Sequence, residues 1–373
     1  MKKKNIKDHT FGTYIRALRI ENEIGQRELA QKVGIAASYL NDIEKNKRTA
    51  PKTIVINKLS LILKVELDFL NDLAGNSKKG LAPDIIDYIE KNPNIVSLIR
   101  AAKNNNLGNE EITQLELSIN KSKTKSLIVA AGLGSRLKGH TENTPKCMLD
   151  FGGKTLLERQ LSSYKKCGID NISLVRGYKK NKINYKGIKY FDNDDYKNNN
   201  ILNSIFYAEE EINGNIIISY SDILFEPFVV KRVLDSDHDI SVVVDIDWRD
   251  YYVDRKDHPL TEAENVIFNS NNEVVKIGKI ASEKEEVHGE FIGMIKLNHR
   301  GCEILKQNFH RVKKFFWNKP FQRAKVFQKA YLTDMIQELV DVGVKVHCVI
   351  IERGWKEIDT VEDYKKALIA FKK

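Results

Sequence analysis

The sequence predicts a multidomain chain in which an all-α module of short helices precedes an α/β domain. Three observations carry this. From residue 11 to residue 73, apolar side chains recur at helical spacing in short blocks broken by Gly25, Gly34 and Pro51. At Ser126 the pattern changes to a short apolar run, Ser126-Leu127-Ile128-Val129-Ala130-Ala131, followed at once by the glycine loop Gly132-Leu133-Gly134-Ser135-Arg136-Leu137. The net charge of +10 is also uneven: residues 1–125 hold 22 Lys plus Arg against 15 Asp plus Glu, a balance of +7, which leaves +3 for the rest. A basic module beside a nearly balanced one suggests two tasks, the first involving a polyanion.

With 373 residues, 42% of them hydrophobic, the chain can bury more than one core, which excludes disorder and a disulfide scaffold. Cys147, Cys167, Cys302 and Cys348 lack the paired spacing of a zinc site and are expected to be free thiols that serve packing. No apolar run approaches the roughly 18 to 20 residues of a bilayer span. The basic residues 1–7 lead into Asp8-His9-Thr10 and not into an apolar stretch, so no secretory signal is expected and the chain reads as soluble and cytoplasmic.

Within the first module, Phe11, Ile15 and Leu18 mark one helix. Gln26 to Val33 form a second, stopped at Gly34 by the left-handed turn that a glycine permits, and a third runs near Ala37 to Glu44. This stretch resembles the Cro and phage-repressor type of helix-turn-helix through Gln26, Leu29-Ala30 and Ile43-Glu44-Lys45-Asn46-Lys47-Arg48, followed by Pro51. The resemblance implies double-stranded DNA as a partner, bound by a homodimer. Ser38, Tyr39 and Asn41, with Ala37, would face the major groove, and Gln26, Arg27, Lys45, Lys47 and Arg48 would lie near phosphates. Ala36 and Ala37 stand where long polar side chains usually reach base edges, which argues against strong sequence reading. A protein-interaction module of the same fold is the competing interpretation.

Residues 76–125 are polar, yet Ile85, Ile86, Ile89, Ile95, Val96, Leu98 and Ile99 keep helical spacing, so short linker helices are expected to start near Pro83 and Pro93. The expected organisation is a helix-turn-helix domain over 1–75, a helical linker over 76–125, and an α/β domain over 126–373.

An apolar strand running into a glycine loop aims backbone N–H groups at the carboxyl edge of a parallel sheet, where phosphates bind. The loop lacks the Gly-Lys-Ser/Thr ending of an ATPase P-loop. It is followed by Thr144-Pro145-Lys146-Cys147-Met148-Leu149, and then by Gly153-Lys154-Thr155-Leu156-Leu157-Glu158 opening a helix that ends near Gly168. This combination resembles the nucleotidyltransferases that activate sugar phosphates and choline phosphate. Later stretches, among them Asn199-Asn200-Ile201-Leu202-Asn203-Ser204, Ser219-Tyr220-Ser221-Asp222 and Trp355-Lys356-Glu357-Ile358-Asp359-Thr360, are most similar to the cytidylyltransferases for phosphocholine and 2-aminoethylphosphonate, including the domain found beside phosphoenolpyruvate mutase.

The resemblance implies a Rossmann-like fold with a mixed, mostly parallel sheet, and Mg²⁺-dependent transfer of CMP from CTP to a small phosphonate or phosphomonoester. Asp222 and Asp359 would hold the metal. Lys146 and Arg136 would be the catalytic cations, offsetting charge on the phosphates without acting as nucleophiles. Ala131, Gly132, Gly134, Ser135, Arg136, Asn200 and Ser204 would bind the nucleotide; Asp245, Tyr252, Glu290 and Trp355, with Trp248 and Tyr251 as further candidates, would take the amine or quaternary ammonium of the acceptor. His258 and His288 are read as surface or core histidines in preference to acid-base groups. The alternatives are a sugar-1-phosphate nucleotidyltransferase, and a transcription regulator whose transferase-like domain senses a ligand.

Overall fold

The first helices form where the sequence places them. The computed structural model describes residues 10–63, 65, 67–77, 80–252, 255, 257, 259–279 and 286–371, and the chain divides into two compact units between Glu110 and Glu111. In the first unit Thr10 caps α1 (Phe11–Glu21), α2 (Gln26–Val33) ends on Gly34 at φ 81°, and α3 (Ala37–Glu44) follows. With α4 (Thr53–Leu63) and α5 (Leu67–Ser77) they enclose one core that includes Phe11, Ile15, Leu29, Leu40, Ile43, Ile56 and Leu70. The two prolines open helices as the sequence suggests: α6 (Pro83–Lys91) has Pro83 in its first turn and α7 (Asn94–Asn104) follows Pro93. Ile85, Ile86, Leu98 and Ile99 on these helices are exposed.

The helix α8 (Asn109–Ser122) leads into β1 (Lys125–Ala130). The second unit continues with α9 (Leu156–Lys166), β2 (Ile172–Arg176), β3 (Ile188–Asp192), α10 (Ile201–Ile205), β4 (Ile216–Tyr220), β5 (Ile223–Phe225), α11 (Pro227–Leu234) and β6 (Ile240–Asp245). Then come β7 (Asn265–Phe268), β8 (Val274–Gly278), β9 (Gly289–Leu297), α12 (His299–Phe316), α13 (Leu332–Asp341), β10 (His347–Ile351), β11 (Trp355–Glu357) and α14 (Val361–Phe371). Among the described residues the main sheet has the order β10-β6-β9-β4-β1-β2-β3, with β7 against β9 and β8 against β7, and β11 and β5 form a separate antiparallel pair. The contacts of β1 with β2 and β4, of β2 with β3 and of β6 with β10 are parallel, whereas β9 runs antiparallel between β4 and β6.

The unbroken apolar runs are explained by burial on both faces. Along β1, Leu127 and Val129 enter one core while Ile128 and Ala130 enter the other. Ile216 and Ile218 of β4 are separated from Ile217 in the same way. In β9 the alternation runs unbroken, with Phe291, Ile295 and Leu297 on one face and Ile292 and Met294 on the opposite one, while the pairing with β6 shifts register: Val242 pairs with Ile295 but Val244 with Phe291. From β1 the chain builds outward through β2 and β3, then returns to lay β4 on the other side of β1. The carboxyl ends of β1 and β4 therefore meet at the point where strand order reverses, which is where open α/β sheets form a crevice.

Candidate active site

The loop after β1 and the turn after β4 line a cleft of about 410 Å³. Gly132, Gly134, Ser135, Arg136, Lys146, Asn200, Asp222 and Asp359 all face it. The loop is drawn tight by the Thr141 hydroxyl, which donates to the Gly134 carbonyl at 2.9 Å, and a Cβ on Gly134 would lie 3.1 Å from that of Lys146. Ala131 is buried beneath the loop, its carbonyl accepting from the Tyr178 N–H.

Lys146 joins the two carboxylates. Its Nζ donates to Asp222 Oδ2 at 2.9 Å and to Asp359 Oδ1 at 2.8 Å, although 213 residues separate Lys146 from Asp359. Arg136, more than half exposed, reaches Asp359 Oδ2 at 2.6 Å. Burial by itself would lower the Lys146 ammonium; Asp222, Asp359 and Glu357 outweigh it and hold the group well above the ordinary lysine value. Lys146 is therefore a fixed positive charge and not a proton acceptor at neutral pH. Asp222 Oδ1 is buried without a hydrogen-bond partner among the described residues.

A brace that sequence reasoning missed sets the position of Asp359. The Ile358 N–H donates to the Asp222 carbonyl at 2.8 Å, tying the segment after β11 to the turn before β5. Asp363 then accepts from the N–H groups of Asp359 and Thr360 at 3.1 and 2.9 Å. Arg255 grips Asp363 through Nε and Nη2 at 2.7 and 2.9 Å and also reaches Glu357 at 3.1 Å. Burial alone would raise the Asp363 carboxyl, but its bonds to Arg255 hold it below the ordinary aspartate value. The only sequence trace of this brace is Thr360 standing three residues before Asp363 at a helix start, a capping pattern; Arg255 comes from a distant loop.

Behind the cleft a smaller pocket is lined by Tyr220, Glu262, Glu264, Glu290, Trp355 and Glu357, among others. Glu262, Glu264, Glu357 and Tyr220 border both spaces. Burial pushes the Glu264 carboxyl up to about 7, and the Thr333 hydroxyl donates to it at 2.5 Å. Tyr252 donates its hydroxyl to Glu290 Oε1, while Glu290 Oε2 is buried without a partner among the described residues. Burial holds Glu290 well above the ordinary glutamate value.

Three expected positions are placed differently. Asp245 is 1% exposed, and its oxygens are taken by the Trp355 indole N–H at 2.8 Å and by the backbone N–H groups of Asp247 and Arg353. It orients Trp355 and does not face the pocket. Ser204 is buried in a network with Asn193 and Asn199, with Asn193 Nδ2 2.9 Å from its Oγ, so it supports the loop while Asn200 reaches the cleft. In the first unit, the Gln26 amide donates to Glu44 at 2.8 Å, and Glu44 also binds Arg19 in two bonds of 2.7 and 2.9 Å. The near-complete burial of Glu44 draws Gln26 inward to satisfy it, away from the phosphate contact expected of its side chain.

Arg27, Ser38 and Lys45 are exposed, Asn41 is half-buried, and Tyr39 packs partly on the core beneath the Arg48 guanidinium, 5.4 Å from its ring centroid. Trp248 is fully buried, and His288 Nδ1 accepts from the Phe268 N–H. His258 lies outside the described residues. The four cysteines are free thiols, and among the described residues no helix is long and apolar enough to cross a membrane.

Residues 126–270 match the model of the MobA-like NTP transferase domain, and residues 15–70 match a helix-turn-helix model. The CTP:phosphoglutamine cytidylyltransferase of Campylobacter jejuni is 28% identical over 249 residues, covering 64% of this chain and 96% of that protein. A choline-phosphate cytidylyltransferase of Streptococcus pneumoniae is 36% identical over 106 residues, which is 27% of this chain and 46% of the relative. The inositol-1-phosphate CTP transferase from T. maritima shares the fold, with a TM-score of 0.52 and 22% identity over 67% of this chain and 96% of its own.

Proposed function

From a chain that joins a helix-turn-helix unit to an α/β nucleotidyltransferase domain, we propose transfer of CMP from CTP to a small phosphate or phosphonate bearing an amino or ammonium group. The observation that carries this reading is Lys146 held between Asp222 and Asp359 beside the glycine loop. An acceptor oxygen attacks the α-phosphorus in line, a new P–O bond forms, the bond to the β-phosphate breaks, and pyrophosphate leaves. Lys146 offsets charge on the α-phosphate and the incoming oxygen, and Arg136, exposed beside the glycine loop and paired with Asp359, clamps the distal phosphates. Neither gives or takes a proton. The backbone of Gly132, Gly134 and Ser135 cradles the triphosphate, and Asn200 approaches the base or ribose.

Asp222 and Asp359 are the carboxylates that would hold Mg²⁺. Their oxygens converge within 3 Å of one point, the Lys146 ammonium, and Asp222 Oδ1 is unpartnered, which fits an ion that takes one or two carboxylates and completes its shell with water and phosphate oxygens. When bound, Mg²⁺ supplies further neutralisation of phosphate charge.

The inner pocket supports the choice of acceptor. Its own space is only about 30 Å³, so what it contributes is the acidic wall it shares with the cleft, Glu262, Glu264 and Glu357, which suits a cation. Incubation with each NTP and with phosphocholine, 2-aminoethylphosphonate, phosphorylated glutamine or glucose 1-phosphate should release pyrophosphate with CTP and a nitrogen-bearing acceptor. Release only with UTP or dTTP and the sugar phosphate would replace this reading, and no release at all would leave a ligand sensor. Because Glu264 titrates near pH 7, KM for a quaternary ammonium acceptor should fall as pH rises from 6 to 8, and Glu264→Gln should flatten that profile.

The first unit is proposed to bind duplex DNA as a homodimer. Affinity should fall steeply between 50 and 200 mM salt, by roughly 10³-fold for six phosphate contacts. Lys45→Ala should lower the salt slope by about one, measured by anisotropy titration, whereas Gln26→Ala should leave it unchanged because that side chain faces Glu44.

A further inference from the structure

A second cavity in the second unit lies apart from the catalytic cleft. It encloses about 730 Å³, the size of a pocket for a nucleotide or similar molecule. It lies behind the β5–β11 pair and shares no lining residue with the cleft. Among the described residues its wall carries Lys154, Arg159, Lys166, Arg353, Lys356 and Lys366 around Arg255, against Glu226 and Asp363; Lys366 also pairs with Glu362 at 2.8 Å and Arg353 lies 3.7 Å from Asp247. Asp363 is already neutralised by Arg255. The floor is apolar, formed by Leu224, Phe225, Pro227 and Trp355. A basic rim over an apolar floor is suited to a small molecule with several phosphates and a flat organic part.

We propose that this cavity is a regulatory site for a polyphosphorylated small molecule, acting on the transfer reaction proposed above. Its connection to the cleft is the Arg255 guanidinium. Arg255 borders the cavity, its side chain 1% exposed, and its guanidinium holds Asp363, which fixes the backbone of Asp359, and Glu357, which lines the cleft. The neighbouring residue on β11, Lys356, faces the cavity while Glu357 faces the cleft, so one strand forms the wall between the two spaces. An anion that draws Arg255 toward the rim competes with Asp363 and Glu357 for it, loosens Asp359 and slows transfer. Two sites then communicate through a defined ion pair.

The test uses the full chain and tripolyphosphate as the probe, with Lys154→Glu/Lys166→Glu as the variant. Both lysines are exposed, and neither borders the catalytic cleft. Equilibrium dialysis at 0.15 M salt should find one molecule fewer bound per chain in the variant than in the unaltered protein. Rate measurements with CTP, acceptor and excess Mg²⁺ should show that tripolyphosphate lowers kcat at least threefold at saturating CTP in the unaltered protein and not in the variant, whose kcat without the probe stays within twofold. Equal binding by both proteins, or inhibition that saturating CTP relieves completely, would overturn the proposal. The dialysis arm needs no turnover, so its result stands apart from the identity of the acceptor.

Discussion

Replacing Asp222 by Ala should reduce CMP transfer by about 10³-fold, the scale on which removal of a group aimed at developing charge is felt, while leaving the fold intact. Asp222 lies in the turn after β4, and its Oδ2 is one of two carboxylate anchors for Lys146. Without it Lys146 keeps its bond to Asp359 at 2.8 Å, so no buried ammonium is stranded and the stability cost should stay near about 1 kcal/mol. What disappears is the unpartnered Oδ1 and the convergence of two carboxylates on one point. Pyrophosphate release and urea unfolding measured on the same preparation separate the two effects, and DNA affinity should be unchanged within twofold. Turnover close to that of the unaltered protein would show that Asp222 is not in the reaction path.

Replacing Arg255 by Met should have the largest effect on stability, roughly 3–5 kcal/mol, because it removes one partner of a buried pair and leaves Asp363 and Glu357 facing each other uncompensated. The side chains of Arg255 and Asp363 are 1% and 2% exposed. The sign with pH follows from Asp363: its carboxyl is held below the ordinary aspartate value, so the pair stabilises the fold above that value and its contribution is lost as pH falls through the lower folded-state value. Stability of Arg255→Met should therefore approach that of the unaltered protein in acid. Transfer should fall as well, by roughly 10²-fold if Asp359 moves by about 1 Å. The double change Arg255→Met/Asp363→Leu should recover stability but not rate, since the N–H groups of Asp359 and Thr360 then lose the carboxylate they bind. Chemical denaturation at pH 7 and at pH 3 or below, paired with rate measurements at pH 7, checks all of these.

Much of this was legible in the residue order. Helix limits at Gln26–Val33 and Ala37–Glu44 follow from Gly25, Gly34 and apolar spacing alone, and the glycine loop, Lys146, Asp222 and Asp359 meet in one cleft as the resemblance implied. What could not be read was whatever depends on distant partners. Gln26 carries no local sign that a buried Glu44 will claim its amide. Asp245 looked like a ligand group because it is the right chemical type, but its bond to the Trp355 indole at 2.8 Å spans 110 residues and exists only after β6 and β10 have paired and β11 has been laid against β5. Glu264 was overlooked for the same reason. It stands at the start of a modest strand, and only the packing of β7 on β9 carries it to the cleft.

The register shift of β9 against β6 divides that strand into two parts with different partners. Met294 to Leu297 pair with β4, and Ile295 to Leu297 also with β6, whereas Glu290 and Phe291, ahead of the shift, pair with β6 and line the inner pocket with Ile292. Substitutions in the leading part can therefore change which acceptor is taken without disturbing the pairing of the trailing part. On the proposed reading, a lineage could trade one acceptor for another through a few residues here, with the sheet, the glycine loop and the two aspartates untouched.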